Sequence, residues 1–207
     1  MKVDFLNLNK LNNPYEEEMK EIFSEFLKKG WYILGDGVKQ FETAFADFCN
    51  TKYCIGVANG LDALVLCLKA LEIGPGDEVI VPSNTYIATW LAVNYVGATP
   101  IPVEPNISTY NINPDLIENV ISSRTKVILP VHLYGQCCEM GEILNIANRF
   151  GLSVIEDNAQ SQGARYKDQK TGNFGIANAT SFYPGKNLGA FGDAGAITTS
   201  DEEVEQK

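Results

Sequence analysis

Several short stretches hold residues whose chemistry exceeds what a packed core requires. Lys186 stands in Ser181-Phe182-Tyr183-Pro184-Gly185-Lys186-Asn187-Leu188-Gly189, a glycine-rich loop after an apolar strand. A lysine has no hydrophobic reason to be there, and a desolvated amine is a nucleophile for carbonyls. An ordinary solvated loop lysine is the competing reading. Asp157 ends the largely apolar run Leu152–Glu156. A carboxylate placed there loses water and needs a positive partner, which a protonated ring nitrogen would supply. A turn or capping aspartate is the alternative. Asn59-Gly60 opens a helix. Free N–H groups and the positive end of the helix dipole suit a phosphate there, and glycine permits close approach. Asn59 acting only as an N-cap remains open. Tyr86, at the start of another helix, can stack on a flat ring or pack into the core. His132, the single histidine, follows an apolar strand and is read as a structural residue.

The elements that must position these residues alternate along the chain. Met19, Ile22, Phe23, Phe26 and Leu27 fall at helical spacing within 12–29, and Gly30 is a plausible end signal. A second helix is expected over 38–49, with Phe41, Phe45 and Phe48 on one face. Strands are then expected at 53–58, 78–82, 100–103, 126–132 and 152–156, separated by helices at 61–71, 87–96, 114–122 and 139–150. Asn113 and Pro114 read as N-cap and first helical position. Such alternation predicts an α/β fold, a three-layer αβα sandwich with a mostly parallel sheet. After Asn158 the rhythm changes. Strands at 180–183 and 194–199 are joined by a glycine-rich loop without a helix.

An open parallel sheet takes its ligand beyond the carboxyl ends of its strands. The residues falling there are Asn59-Gly60-Leu61, Asn84-Thr85-Tyr86, Leu133-Tyr134-Gly135 and Asp157-Asn158-Ala159-Gln160. They are polar and aromatic groups converging on one edge.

Composition narrows the partners. The 207 residues are 45% hydrophobic and 20% charged, with a net charge of -10. That balance argues against a nucleic-acid or anionic-membrane surface. Five cysteines, an odd number without CxxC spacing, read as free thiols in a reducing cytoplasm. One histidine and no Cys/His clusters argue against a metal site. Residues 1–10 lack the apolar core of a signal peptide, and no apolar run is long enough to span a bilayer. Asp201–Lys207 reads as the opening turns of a helix with no stop signal, so the sequence is expected to be part of a longer chain.

Six ordered blocks carry a resemblance. They are Tyr32-Ile33-Leu34-Gly35, Ala58-Asn59-Gly60-Leu61-Asp62-Ala63-Leu64, Gly74-Pro75-Gly76-Asp77-Glu78-Val79-Ile80, Val131-His132-Leu133-Tyr134-Gly135, Ile155-Glu156-Asp157-Asn158-Ala159-Gln160, and Ser181 to Ala196. In these the chain resembles the pyridoxal-phosphate sugar aminotransferases of the DegT/DnrJ/EryC1/StrS family, of fold type I. The resemblance implies that 1–207 is the cofactor-binding large domain, with N-terminal helices over about 1–50 and the αβα core over about 51–207. A C-terminal small domain would lie beyond it.

Roles follow from the resemblance residue by residue. Lys186 is similar to the lysine that holds pyridoxal 5'-phosphate as a Schiff base. Asp157 matches the carboxylate that keeps the pyridine nitrogen protonated, and Gln160 the partner of the ring hydroxyl. Tyr86 matches a ring-stacking aromatic. Backbone N–H groups of Gly60 and Leu61 and the Ser181 hydroxyl match phosphate ligands. Tyr183 would face the sugar. Leu61 departs from the family, which usually has Thr or Ser there, so Ser181 would carry more of the side-chain recognition. Relatives with histidine at the lysine position are dehydratases, and Lys186 points away from them.

The implied reaction moves an amino group from an amino acid, expected to be glutamate, onto a keto-deoxysugar nucleotide. The stretch Pro82–Trp90 is most similar to the branch acting on dTDP-3-keto-6-deoxyhexoses, and a homodimer is implied. Two alternatives remain: a non-catalytic cofactor-binding or regulatory protein on the same fold, and a plain nucleotide-binding domain. The dinucleotide fingerprint GxGxxG is missing from Gly56-Val57-Ala58-Asn59-Gly60. A molecule ending at Lys207 is expected to bind cofactor weakly and turn over little.

Overall fold

The computed structural model describes residues 3–207. The expectation drawn from residues 1–10 therefore falls partly outside the described residues. Three helices come first: α1 (Leu8–Asn12), α2 (Glu16–Lys29) and α3 (Asp36–Cys49). Gly30 ends α2 in the left-handed region, at φ 65°, as its position suggested. The apolar stripe of α2 is not covered, however, and no residue of that helix is buried. In α3 only one side is packed: Phe45 and Cys49 are buried, with Phe182 and Ala196 beside them.

The alternating part then runs β1 (Tyr53–Val57), α4 (Gly60–Ala70), β2 (Glu78–Pro82), α5 (Ile87–Tyr95), β3 (Thr99–Val103), α6 (Pro114–Ile117), β4 (Thr125–Ile128), α7 (Met140–Phe150) and β5 (Ser153–Asp157). A short hairpin, β6 (Arg165–Tyr166) and β7 (Gln169–Lys170), precedes β8 (Ala177–Ser181), β9 (Gly195–Thr199) and α8 (Glu202–Gln206). Seven strands form one sheet in the order β1-β9-β8-β5-β4-β2-β3. Pairings from β8 through to β3 are all parallel, while β9 is antiparallel to both neighbours. Only β9 is therefore reversed. The carboxyl ends of the other six strands and the amino end of β9 share one edge.

Alternate side chains feed two cores, as pleating requires. Val79, Val81, Val127, Leu129 and Ile155 pack with Leu64, Leu68, Ala92 and Val93 of α4 and α5. Ile80, Ile128 and Val154 pack on the other face with Ile117, Ile143 and Ile146 of α6 and α7. The sheet thus lies between two helical layers, which is the expected three-layer αβα sandwich.

Several elements differ from the sequence expectation. The strand expected to reach His132 stops at Ile128, because Pro130 has no N–H for a ladder. The helix expected over 114–122 tightens into a 3₁₀ turn after Ile117. The strand placed at 180–183 is Ala177–Ser181 instead, a run of small and polar residues buried by strands on both sides. The β6–β7 hairpin had no apolar alternation to announce it.

Candidate active site

At the shared edge lies an open cleft of ≈ 530 Å³. It is lined by Gly60, Leu61, Tyr86, Asp157, Gln160, Ser181, Tyr183 and Lys186, among others. All eight residues singled out in the sequence therefore meet in one place, although they span 127 positions from Gly60 to Lys186, both ends counted. Leu64, Leu91 and Val131 supply apolar wall.

The first corner is built where β1 turns into α4. Asn59 caps the helix: its Oδ1 accepts from Asp62 N at 2.9 Å, and its backbone oxygen accepts from Ala63 N at 3.0 Å. An α-helix cannot satisfy its own leading N–H groups, so those of Gly60 and Leu61 remain at the cleft wall. Capping and anion binding are thus compatible roles for this turn. Gly60 lies against Ser181, where a Cβ would meet Ser181 Cβ at 2.6 Å and Oγ at 3.2 Å. The sheet order frames the meeting: β9 lies between β1 and β8, its Gly195 pairs with Val57 on one side and Ser181 on the other, and Gly60 and Ser181 meet at the amino end of β9. Gly195 at the start of β9 is equally tight, since a Cβ there would stand 2.5 Å from the backbone C and O of Asn59.

Asp157 is the last residue of β5 and is only 5% exposed. Its Oδ1 accepts from Ala159 N at 3.1 Å and its Oδ2 from Thr89 Oγ1 at 2.9 Å. Burial pushes its pKa above the ordinary aspartate value, against the opposing pull of those two hydrogen bonds and of the Lys186 charge. Three residues after Asp157, Gln160 Oε1 accepts from Tyr134 N at 2.8 Å. That bond fixes which end of the amide is oxygen and leaves the amide N–H₂ at the cleft.

Lys186 is half-buried and follows a turn closed by its own N–H on Tyr183 O at 2.8 Å. Gln162 braces this loop: its Nε2 donates to Ser181 O at 2.7 Å, and its backbone oxygen accepts from Asn187 Nδ2 at 3.0 Å. Tyr86 and Tyr183 are exposed, so neither is the core residue that the alternative for Tyr86 envisaged.

His132 is fully buried and stands away from the cleft wall. Its Nδ1 accepts from Cys138 N at 3.1 Å, and its Nε2 meets Glu156 Oε2 at 2.8 Å. It is a satisfied structural residue. Thr89, Gln162 and Asp193 were not legible as site residues, whereas Thr85 belongs to the Asn84-Thr85-Tyr86 stretch expected at this edge. Thr85 and Asp193 line the cleft, whereas Thr89 and Gln162 act on residues that do. Thr89 looks like any helix threonine in sequence, and Asp193 reaches the cleft only because β9 is reversed. All five cysteines are free, and the described residues hold no cluster able to bind a metal.

The chain is similar over nearly its whole length to known proteins. Over 205 residues the chain is 56% identical to a dTDP-3-amino-3,6-dideoxy-alpha-D-galactopyranose transaminase of Aneurinibacillus thermoaerophilus, covering 99% of this chain and 56% of that protein. It is 47% identical to a dTDP-3-amino-3,4,6-trideoxy-alpha-D-glucose transaminase of Streptomyces venezuelae, covering 100% of this chain and 54% of that protein. The chain thus spans about half the length of the curated relatives it matches. The crystal structure of S. venezuelae DesV in complex with a ketimine intermediate superposes with a TM-score of 0.96 at 48% identity, over 99% of this chain and 55% of that one. A Bacillus subtilis protein, NtdA with bound cofactor PMP, superposes with a TM-score of 0.91 at 41% identity, over 98% of this chain and 46% of that one. Residues 13–207 match the DegT/DnrJ/EryC1/StrS aminotransferase family, and the chain belongs to that family.

Proposed function

We propose that this chain is the pyridoxal-phosphate-binding part of a sugar-nucleotide aminotransferase, with residues 1–207 forming the large domain. One observation carries the reading: Lys186 and the buried Asp157 line a single cleft whose far corner is the tight Gly60–Ser181 contact. The cleft's ≈ 530 Å³ lies within the usual range for small-molecule sites.

The residues fit the cofactor group by group. Asp157 is a desolvated carboxylate that offers a protonated ring nitrogen a countercharge. Gln160 has free amide hydrogens for a ring hydroxyl. Gly60 and Leu61 present N–H groups, and Ser181 a hydroxyl, to a phosphate. Tyr86 offers an aromatic surface for stacking. When bound, pyridoxal phosphate supplies an electron sink for the pair left when a proton leaves an amine-bearing carbon.

The chain's own residues do the rest. Lys186 Nζ would hold the cofactor at its carbonyl carbon, and its amine could take and return the proton that leaves the amino-acid donor. Asp157 stabilises positive charge on the ring nitrogen from a site closed to water. Leu64, Leu91 and Val131 keep the inner wall dry. Tyr183 stands at the mouth, where it would meet the sugar. Glutamate is the proposed donor. A dTDP-linked 3-keto-6-deoxyhexose is the proposed acceptor, which the names of the two curated relatives, both dTDP-3-amino-deoxysugar transaminases, support. A homodimer in the cytoplasm completes the reading. The uncovered apolar side chains of α2 and of Trp31, Tyr32, Ile33 and Leu34 supply surface of the kind a second copy covers.

The test is spectroscopic. Purified protein with added pyridoxal phosphate should develop a violet-edge absorbance that Lys186→Ala abolishes. Added glutamate should bleach it as the pyridoxamine form accumulates. A protein that stays colourless overturns the reading. Colour that no amino donor bleaches reduces the reading to a cofactor-binding protein.

A further inference from the structure

Thr89 is fully buried inside α5, where an apolar residue would ordinarily be placed. Its hydroxyl stands 2.9 Å from Asp157 Oδ2 and 3.0 Å from Thr85 Oγ1. A carboxylate only accepts, so the single Thr89 proton goes to Asp157. The Thr89 oxygen must then accept from Thr85, which sits just ahead of the helix and lines the cleft. Ala159 N holds the other carboxylate oxygen at 3.1 Å. Each oxygen of Asp157 is therefore fixed by one donor, and the two donors come from different elements. A valine at position 89 would match the threonine in shape while removing the hydroxyl. Packing alone therefore does not call for threonine there.

We infer that Thr89, oriented by Thr85, is a positioning residue that aims the Asp157 carboxylate at the cleft and favours its charged form. The inference rests on the role proposed for Asp157 above. The titratable groups acting on or felt by Asp157 are Lys186 from the glycine-rich loop, His132 from the turn after β4, and Cys67 from α4. None of them replaces the Thr89 hydrogen bond.

Two measurements test it. The Asp157 carboxyl is titrated by carbon NMR in protein without added cofactor, and pyridoxal phosphate affinity is read from the visible absorbance. Thr89→Val should raise the Asp157 pKa, because a hydrogen bond to the charged form is lost. It should weaken cofactor affinity about tenfold, the scale of one hydrogen bond to a charged group. Thr89→Ser should restore both values, and Thr85→Val should move both the same way by less. A Thr89→Val protein that titrates and binds as the wild type does would overturn the inference. So would failure of Thr89→Ser to rescue, since the side chain would then matter only for packing. Should Thr89→Val not fold, an unchanged titration in Thr85→Val overturns the inference equally. If the wild type develops no Lys186-dependent colour, the cofactor reading fails, while the NMR titration still decides the part played by Thr89.

Discussion

Asp157 puts a carboxylate where water scarcely reaches it, and that placement has a thermodynamic consequence. Its folded-state pKa is raised by burial. Between the ordinary aspartate value and the raised one, the folded protein binds more protons at this site than the unfolded chain. Stability therefore falls as pH rises through that window. Without cofactor, Asp157→Asn should melt at a higher temperature than the wild type at neutral pH. The advantage should vanish as pH drops below the ordinary aspartate range. The same variant should bind pyridoxal phosphate more weakly, since the countercharge is gone. Melting curves over a pH series, with and without cofactor, check both halves. Gly60→Ala gives a second residue-scale outcome. Its Cβ would meet Ser181 Cβ at 2.6 Å, so Ser181 must move. Overpacking of this kind costs about 1–3 kcal/mol, and cofactor affinity should fall with it. Titration calorimetry and denaturant unfolding separate the two effects.

At the scale of elements, β5 does two jobs through its period of two. Asp157 points to the cleft, while Glu156 before it points the other way and is fully buried. The Glu156 carboxylate accepts from Gly172 N at 2.9 Å, Phe174 N at 2.5 Å and Gly175 N at 2.9 Å, and pairs with His132 Nε2 at 2.8 Å. It ties the loop before β8 and the turn after β4 to the strand that carries Asp157. Glu156→Gln turns one of these acceptors into a donor facing donors. It should destabilise the fold by about 1–3 kcal/mol for each N–H left unpaired. Urea unfolding measures this, and Lys186 should still form its coloured adduct in protein that remains folded. These elements were only partly legible. Helices with caps such as Asn59 and Asn113, and an end such as Gly30, were visible from local chemistry. Strand β8 was expected at 180–183 rather than at Ala177–Ser181, because that run has little β-forming signature of its own. Its burial and pairing come from neighbours distant in sequence.

On the scale of the whole molecule, the apolar surface is unevenly covered. The sheet is packed on both faces, yet Phe23, Trp31, Tyr32, Ile33 and Leu34 stay exposed. Helix α2 contributes nothing buried, although its stripe has the spacing of a packed helix. On the proposed homodimer, light scattering should give twice the chain mass, and Ile33→Asp with Leu34→Asp should shift the protein toward monomer. A monomer in the wild type would overturn the dimer without touching the cofactor chemistry. No helix among the described residues is long and apolar enough to cross a membrane.

By itself the sequence marked candidates and the strand ends they follow. Lys186, Asp157 and the Gly60 turn are local signals, set by residue type and by position after an apolar run, whereas Gln160 and Ser181 were given their roles by the family resemblance. Tertiary structure decided their company. Strand order places the ends of β1 and β8 on either side of Gly195 in β9, where Ser181 meets Gly60, and the reversal of β9 carries Asp193 to the cleft. Packing of α5 on the sheet brings Thr89 to Asp157, 68 residues away. Periodicity records which face of an element is apolar, but not which neighbour covers it. Strand order and long-range hydrogen bonds are settled only when burial is satisfied for the whole chain at once.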